Sequence, residues 1–223
     1  MSLWDSIKKT LKSSAQTTLN NTVSSAKSSA KSGIAKAFRK ASDDAQNAIK
    51  KAIETKSKTF KFDKIPESLE ELKSLPQADM KDAFGSVAMT ILALNMYYAN
   101  QELGVAAFDY VMGPGALANL EISRINDSIR QNGKYVPVSY FEGATNENNY
   151  VPADPLTIKV FEYSTSKDNY DEGYYRLFVK SGGADSERQI TLRNKKSTGE
   201  WFAHEFSSLY MGIKQAKAED PWA

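Results

Sequence analysis

The first fifty residues carry an apolar side chain at every third or fourth position, and this spacing constrains the fold more than any other feature. The stripe runs without a break from Trp4 to Ile53. Such a period describes one face of an α-helix, with a mean step slightly above the roughly 3.6 residues of an ideal turn. Residues 1–58 are therefore predicted to form a long amphipathic helical leader, with Gly33 as the place where two helical pieces meet.

Charge separates this leader from the rest of the chain. Residues 1–60 contain 12 Lys and Arg against four acids, which gives a net charge of +8. The remaining residues contain 17 Lys and Arg against 23 acids, a net charge of −6. This asymmetry predicts that the basic part meets something anionic. We therefore divide the chain into the leader, residues 1–58, and a compact domain, residues 59–223.

The polar face of the leader is built mostly from Ser, Thr and Asn, which are weak helix formers, so the helix needs a partner to become ordered. An anionic lipid surface is the first candidate, because bulky apolar side chains enter the acyl boundary while lysines contact headgroups. The predicted surface-anchoring residues are Leu3, Trp4, Ile7, Leu11, Leu19, Ile34, Phe38, Ile49 and Ile53 on the apolar face, with Lys8, Lys9, Lys12, Lys36, Arg39 and Lys40 as the basic contacts.

Other partners remain open for the leader. It can pack on the acidic domain or on an acidic protein partner, or join copies of the chain into a homo-oligomer. A solvated helix or low-complexity linker is a further alternative, favoured by the SSAK repeat at 24–31. Nucleic acid is disfavoured, because only Trp4 and Phe38 supply aromatic rings among the basic residues.

Residues 59–223 show a helical pattern first and a strand pattern later, which is typical of an α+β fold. Three helices are expected over 79–101, 103–112 and 117–131, so that the helices precede any sheet. Turn residues then separate short runs rich in aromatic and β-branched residues, and these predict a mainly antiparallel meander. The expected strands are Thr157–Glu162, Tyr174–Ser181, Arg188–Asn194 and Glu200–Phe206.

Aromatic side chains are concentrated in the strand half, and amphipathic aromatics are common in recognition surfaces as well as in ordinary sheets. Core packing and a recognition patch are therefore both open interpretations. The residues of the predicted patch are Tyr163, Tyr170, Tyr174, Tyr175, Arg176 and Trp201.

His204 is the only histidine, and the chain has no cysteine. A single histidine cannot build the usual multi-histidine metal site, and no motif supplies it with a catalytic partner. We therefore expect a non-enzymatic protein without a cofactor. A small-molecule or enzymatic pocket between helices and sheet is the less favoured alternative, and it would need convergent polar groups such as Glu142, Arg176 or Arg188.

The absence of cysteine fits a reducing compartment, and the N-terminus lacks the continuous apolar stretch of a signal peptide. The apolar run 87–96 is about half the length of a membrane-spanning helix. A cytoplasmic location, peripheral at the inner face of the membrane, is therefore expected.

Four runs resemble a bacterial domain family of unknown function: KIPESLEEL at 64–72, YFEGAT at 140–145, SGGADS at 181–186 and DPWA at 220–223. The resemblance covers about residues 58–223. It implies bacterial origin and one domain, often preceded by an Ala/Lys-rich amphipathic leader. It brings no catalytic residues to this chain.

Overall fold

The computed structural model describes residues 54–133 and 135–219. Five strands form one sheet, and two of the helices between the first and second strands, Ala83–Ala99 and Gln101–Met112, contact it. The strands are β1 (Glu54–Phe62), β2 (Leu156–Tyr163), β3 (Tyr174–Val179), β4 (Arg188–Lys195) and β5 (Glu200–Glu205). The helices are α1 (Leu69–Ser74), α2 (Ala83–Ala99), α3 (Gln101–Met112) and α4 (Asn119–Asn132).

The strands follow each other through the sheet in sequence order, and every neighbouring pair is antiparallel. The predicted α+β class and antiparallel meander are therefore confirmed. The expectation that helices precede any sheet is wrong, because β1 comes before α1 and pairs with β2 along its length. Local sequence marks 58–62 as extended chain, but it does not reveal a partner strand nearly a hundred residues later. β1 begins at Glu54, before the predicted domain boundary at residue 58.

Helix α2 lies at the centre of the described domain. Its residues are buried on every side from Ala83 to Tyr98, as expected for a helix that is apolar all round. Asp82 caps its N-terminus by accepting a hydrogen bond from the backbone N–H of Phe84. The sheet covers one side of α2, and α3 covers another.

Gly104 allows α3 to approach α2 closely. A Cβ atom at this position would lie 2.1 Å from the Cα of Tyr97, so no larger residue fits without moving a helix. The pattern at 103–112 predicted α3, and that at 117–131 predicted α4, each within two residues of the observed ends.

The two faces of the sheet differ in burial. On the inner face, which packs on α2, alternate residues of β3 and β4 are fully or almost fully buried. Leu177, Val179, Ile190 and Leu192 belong to this set. The residues between them point to the outer face and are half-buried or exposed. This alternation is the period of two that a sheet with one covered face requires.

Two of the runs that carry the family resemblance meet in a buried junction at one end of the sheet. The hydroxyl oxygens of Ser139 and Ser181 are 2.7 Å apart, and the backbone N–H of Gly182 donates to the carbonyl of Ser139 at 2.8 Å. A Cβ at Gly182 would lie 1.8 Å from the carbonyl oxygen of Ala144. The glycine is therefore required by close backbone approach, and the junction is explained by packing.

Candidate functional site

A cavity of about 830 Å³ lies between the C-terminal end of α3 and the edge strand β5, and we call it the β5 cavity. It is within the range of about 300–1,000 Å³ that is typical of small-molecule sites. Its apolar lining comes from Met80, Met112, Pro114, Ala116, Phe202 and Ala203, and its polar lining from Asp109, Tyr110, Arg193, Asn194, Lys195, Glu200 and His204, with Gly113 at the helix end.

The loop after α3 forms one wall of this cavity. Gly113 ends the helix with φ of +101°, a conformation that side-chain-bearing residues rarely adopt. The Asp109 carboxylate then accepts a hydrogen bond from the backbone N–H of Gly115 at 2.9 Å, which holds the loop against the last turn. The sequence therefore places Met112 and Pro114 at a fixed edge of the cavity.

Met80 connects the other wall to the sheet. It adopts a left-handed conformation with φ of +55°, and its carbonyl accepts a hydrogen bond from the N–H of Trp201 at 2.7 Å. The side chain of Met80 is only 2% exposed and forms part of the cavity lining. The start of β5 is thus tied to the turn before α2, and the cavity opens along the rest of that strand.

The charged groups of the β5 cavity differ in how they are paired. Lys195 lies 3.9 Å from the Glu200 carboxylate, which also accepts a hydrogen bond from Thr198. Asp109 is engaged by the loop. Within the described residues, the guanidinium of Arg193 has neither a hydrogen bond nor an ion pair. The cavity therefore combines two carboxylates that already have partners with an exposed cation that has none among the described residues.

His204 lies exposed on β5, with its ring centroid 5.3 Å from that of Tyr174. It lines the β5 cavity together with Arg193. The strand is irregular here, because the register shifts between the pairs formed by Ala203 and Glu205. This placement makes His204 a polar group at the rim of a cavity.

The predicted recognition patch is divided between the two faces of the sheet. Tyr170, Tyr175 and Trp201 form one group on the inner side, with ring centroids 5.3 to 5.6 Å apart. Tyr175 and Trp201 are largely buried there, and Tyr170 is 42% exposed. Lys167 stands over this group, 5.8 Å from the Tyr175 ring and 6.0 Å from the Tyr170 ring. These three aromatics therefore close the end of the core.

Tyr175 also forms a buried hydrogen bond. Its hydroxyl donates to the Glu162 carboxylate, which is 5% exposed and lies 3.8 Å from the Lys167 ammonium. Burial and this carboxylate together raise the pKa of Tyr175 above its usual range. The neutral phenol is the form that the fold stabilises.

The other patch residues, Tyr163, Tyr174 and Arg176, belong to the outer face. Tyr163 packs there with Phe161 and Phe178, with centroid distances of 4.8 to 6.2 Å, and we call these three residues the outer-face cluster. Phe161 is only 1% exposed although it lies on the face opposite α2. Phe161 and Phe178 are absent from the predicted patch, although their alternation with core residues was a signal for a second apolar surface.

The other predicted site residues do not converge. Glu142 is exposed, Arg176 is on the outer face of β3, and Arg188 donates to the carbonyl of Gly212 at 2.7 Å. None of these three lines the β5 cavity. All the predicted surface-anchoring residues, from Leu3 to Ile53, lie outside the residues that the structure describes.

These features define an α+β domain with a five-stranded antiparallel meander covered on one face by helices. A family model described as a domain of unknown function, DUF6935, matches residues 64–217. The chain belongs to this family, which confirms the resemblance seen in its sequence. No curated protein and no solved structure matches the chain. Across residues 54–133 and 135–219, no helix has the length and apolarity needed to cross a membrane.

Proposed function

We propose that this protein is a non-enzymatic binding protein whose basic leader attaches it reversibly to an anionic membrane surface. The observation that carries the proposal is the leader's charge together with its apolar stripe. Ahead of β1, residues 1–53 contain ten Lys and Arg against three acids, whereas residues 54–223 contain 19 against 24. The proposed setting is the inner face of a bacterial membrane, with the domain in the cytoplasm.

The expected contribution of each part of the leader follows from its chemistry. Trp4, Ile7 and Leu11 bury apolar surface at the acyl boundary, and each nearby lysine adds about 1 kcal/mol at an anionic surface. The acidic domain is repelled by the same surface, so attachment depends on the leader and weakens as salt screens the charges.

Vesicle co-sedimentation tests this proposal. Full-length protein is expected to pellet with vesicles that contain phosphatidylserine and to stay in the supernatant with phosphatidylcholine alone. The double variant Trp4→Ser/Leu11→Ser should lose at least about tenfold in affinity, because each anchor contributes about 1.5–3 kcal/mol on burial. A polar-face control, Thr18→Ser/Ser28→Thr, should behave like the wild type. Equal pelleting of all three proteins, without dependence on lipid charge or salt, would contradict the proposal.

A second candidate function is a self-packed or homo-oligomeric scaffold, in which the leader docks on its own domain or on a neighbouring copy. The outer-face cluster favours this candidate, because it is an aromatic surface separate from the main core. Tyr163 of that cluster is the register partner of Glu54, the first residue of β1. The first residue of β1 therefore lies beside this surface.

Light scattering and thermal unfolding distinguish the two candidates. If the leader packs on the domain or its copies, Ile34→Ser/Phe38→Ser in the full chain should lower the melting temperature or reduce the mass. If the leader serves lipid alone, both quantities should stay at the wild-type values in the absence of vesicles. The change Ser32→Thr is the matched control, since it leaves the apolar stripe intact.

A further inference from the structure

The β5 cavity lies wholly within the described domain and has no role in the attachment proposed above. We propose that it binds a small amphiphilic organic anion, whose charged group lies at Arg193 and whose apolar body lies against Met112 and Pro114. The cavity volume of about 830 Å³ accommodates such a ligand.

The pairing of the charges selects an anion. Asp109 is held by the backbone of Gly115, and Glu200 is held by Thr198 with Lys195 nearby. No described residue accepts a hydrogen bond from Arg193, so all of its N–H donors can bind a ligand. A guanidinium presents a planar fork that matches a carboxylate, sulfonate or phosphate group.

Arg193 is exposed on the outer face of β4, between two aromatic register partners. It stands opposite Tyr174 on β3 and opposite Phe202 on β5, so an aromatic side chain lies on either side of it. His204 lies two residues beyond Phe202 and contacts Tyr174. Its imidazole can donate a second hydrogen bond to the same anion. The strands thus present the polar end of the site.

The opposite wall sets the orientation of the ligand. The C-terminal end of α3 carries a partial negative charge, which disfavours an anion beside Met112. The apolar surfaces of Met112 and Pro114 line this wall instead. The charged group therefore faces β4 and the hydrocarbon body faces α3.

The test uses 8-anilinonaphthalene-1-sulfonate, an aromatic anion, titrated into the full-length protein while backbone amide NMR shifts are recorded. Shifts are expected at Gly113, Gly115, Ala116 and the residues of β5. The neutral analogue N-phenyl-1-naphthylamine should bind more weakly at the same amides. Arg193→Gln should weaken sulfonate binding about tenfold, as expected for losing a charge-assisted hydrogen bond.

Lys196→Gln is the matched control, because it removes one exposed cation from the adjacent turn without touching the cavity lining. It should change the affinity by less than about twofold. Shifts confined to the outer-face cluster, or equal losses in the two charge variants, would overturn the proposal. Equal binding of the neutral and anionic probes would also overturn it, since the choice of an anion depends on Arg193.

Discussion

Both faces of the sheet carry large apolar side chains, but only those of the inner face pack against the helices. Leu177 and Ile190 on that face are fully buried against the helices. On the outer face, Phe161, Tyr163 and Phe178 form a cluster of their own, and Arg193 lies exposed beside Phe202. Aromatic residues in a strand therefore do not identify a binding surface until the face of each one is known.

The largest expected effect is on the inner face. Leu177→Ala should lower the free energy of unfolding by about 2–5 kcal/mol, because it leaves a void in a fully buried site. Urea unfolding followed by circular dichroism measures this change. A loss below about 1 kcal/mol would contradict the tight packing of the inner face against the helices.

The second largest effect is expected at high pH, which should lower the free energy of unfolding through Tyr98 on α2. Burial is the main cause that raises the pKa of Tyr98 to about 12, and its hydroxyl donates to Ser128 at 2.9 Å. Because the folded state holds this proton more tightly than the unfolded state, stability is intact below about pH 10 and falls between about pH 10 and 12. The expected loss is about 2–3 kcal/mol.

Urea unfolding at several alkaline pH values measures this loss, with Tyr98→Phe as the comparison. The variant should show a shallower decline over the same interval. An equally steep decline in both proteins would assign the effect to other groups.

A smaller loss is expected from the buried pair at the end of the core. Tyr175→Phe removes the hydroxyl that donates to Glu162, and it should cost about 1–3 kcal/mol because a buried carboxylate loses a partner. Tyr170→Phe, at the exposed member of the same aromatic group, is the control and should be nearly neutral. A neutral result for Tyr175→Phe would show that water or Lys167 already satisfies the carboxylate.

The smallest effect on stability should come from the outer face. Phe178→Ser removes one ring of the outer-face cluster and should cost about 1 kcal/mol, the scale of a cross-strand aromatic pair. Gln189→Ser, at its register partner on β4, provides the matched control. A loss as large as that of Leu177→Ala would remove the distinction between the faces.

The elements whose signals are local could be predicted from the sequence. The helical spacing through 79–101 marks α2, the glycines after Met112 and Asn132 mark helix ends, and turn residues separate β2 to β5. β1 was not predicted as a strand of the sheet. It belongs to the sheet because it pairs with β2, and no local sequence pattern reveals that pairing.

The candidate site was harder to predict from the sequence, because it too depends on contacts between distant parts of the chain. Arg193 and Met112 are far apart in the sequence, and only the fold places both in the lining of one cavity. The patch was predicted as one surface, but strand alternation places Tyr174 and Tyr175 on opposite faces. The residue types predicted a recognition patch of aromatic side chains. The strand register determines which of these side chains share a face of the sheet.

Quenching of tryptophan fluorescence by brominated lipid tests the proposed attachment most directly. Full-length protein and Trp4→Phe would be compared on anionic vesicles that carry bromine on the acyl chains. The account predicts strong quenching of the wild type and much weaker quenching of Trp4→Phe, because Trp4 enters the acyl boundary. Equal quenching of the two proteins, or none in either, would contradict the proposal that the leader holds this domain at a membrane.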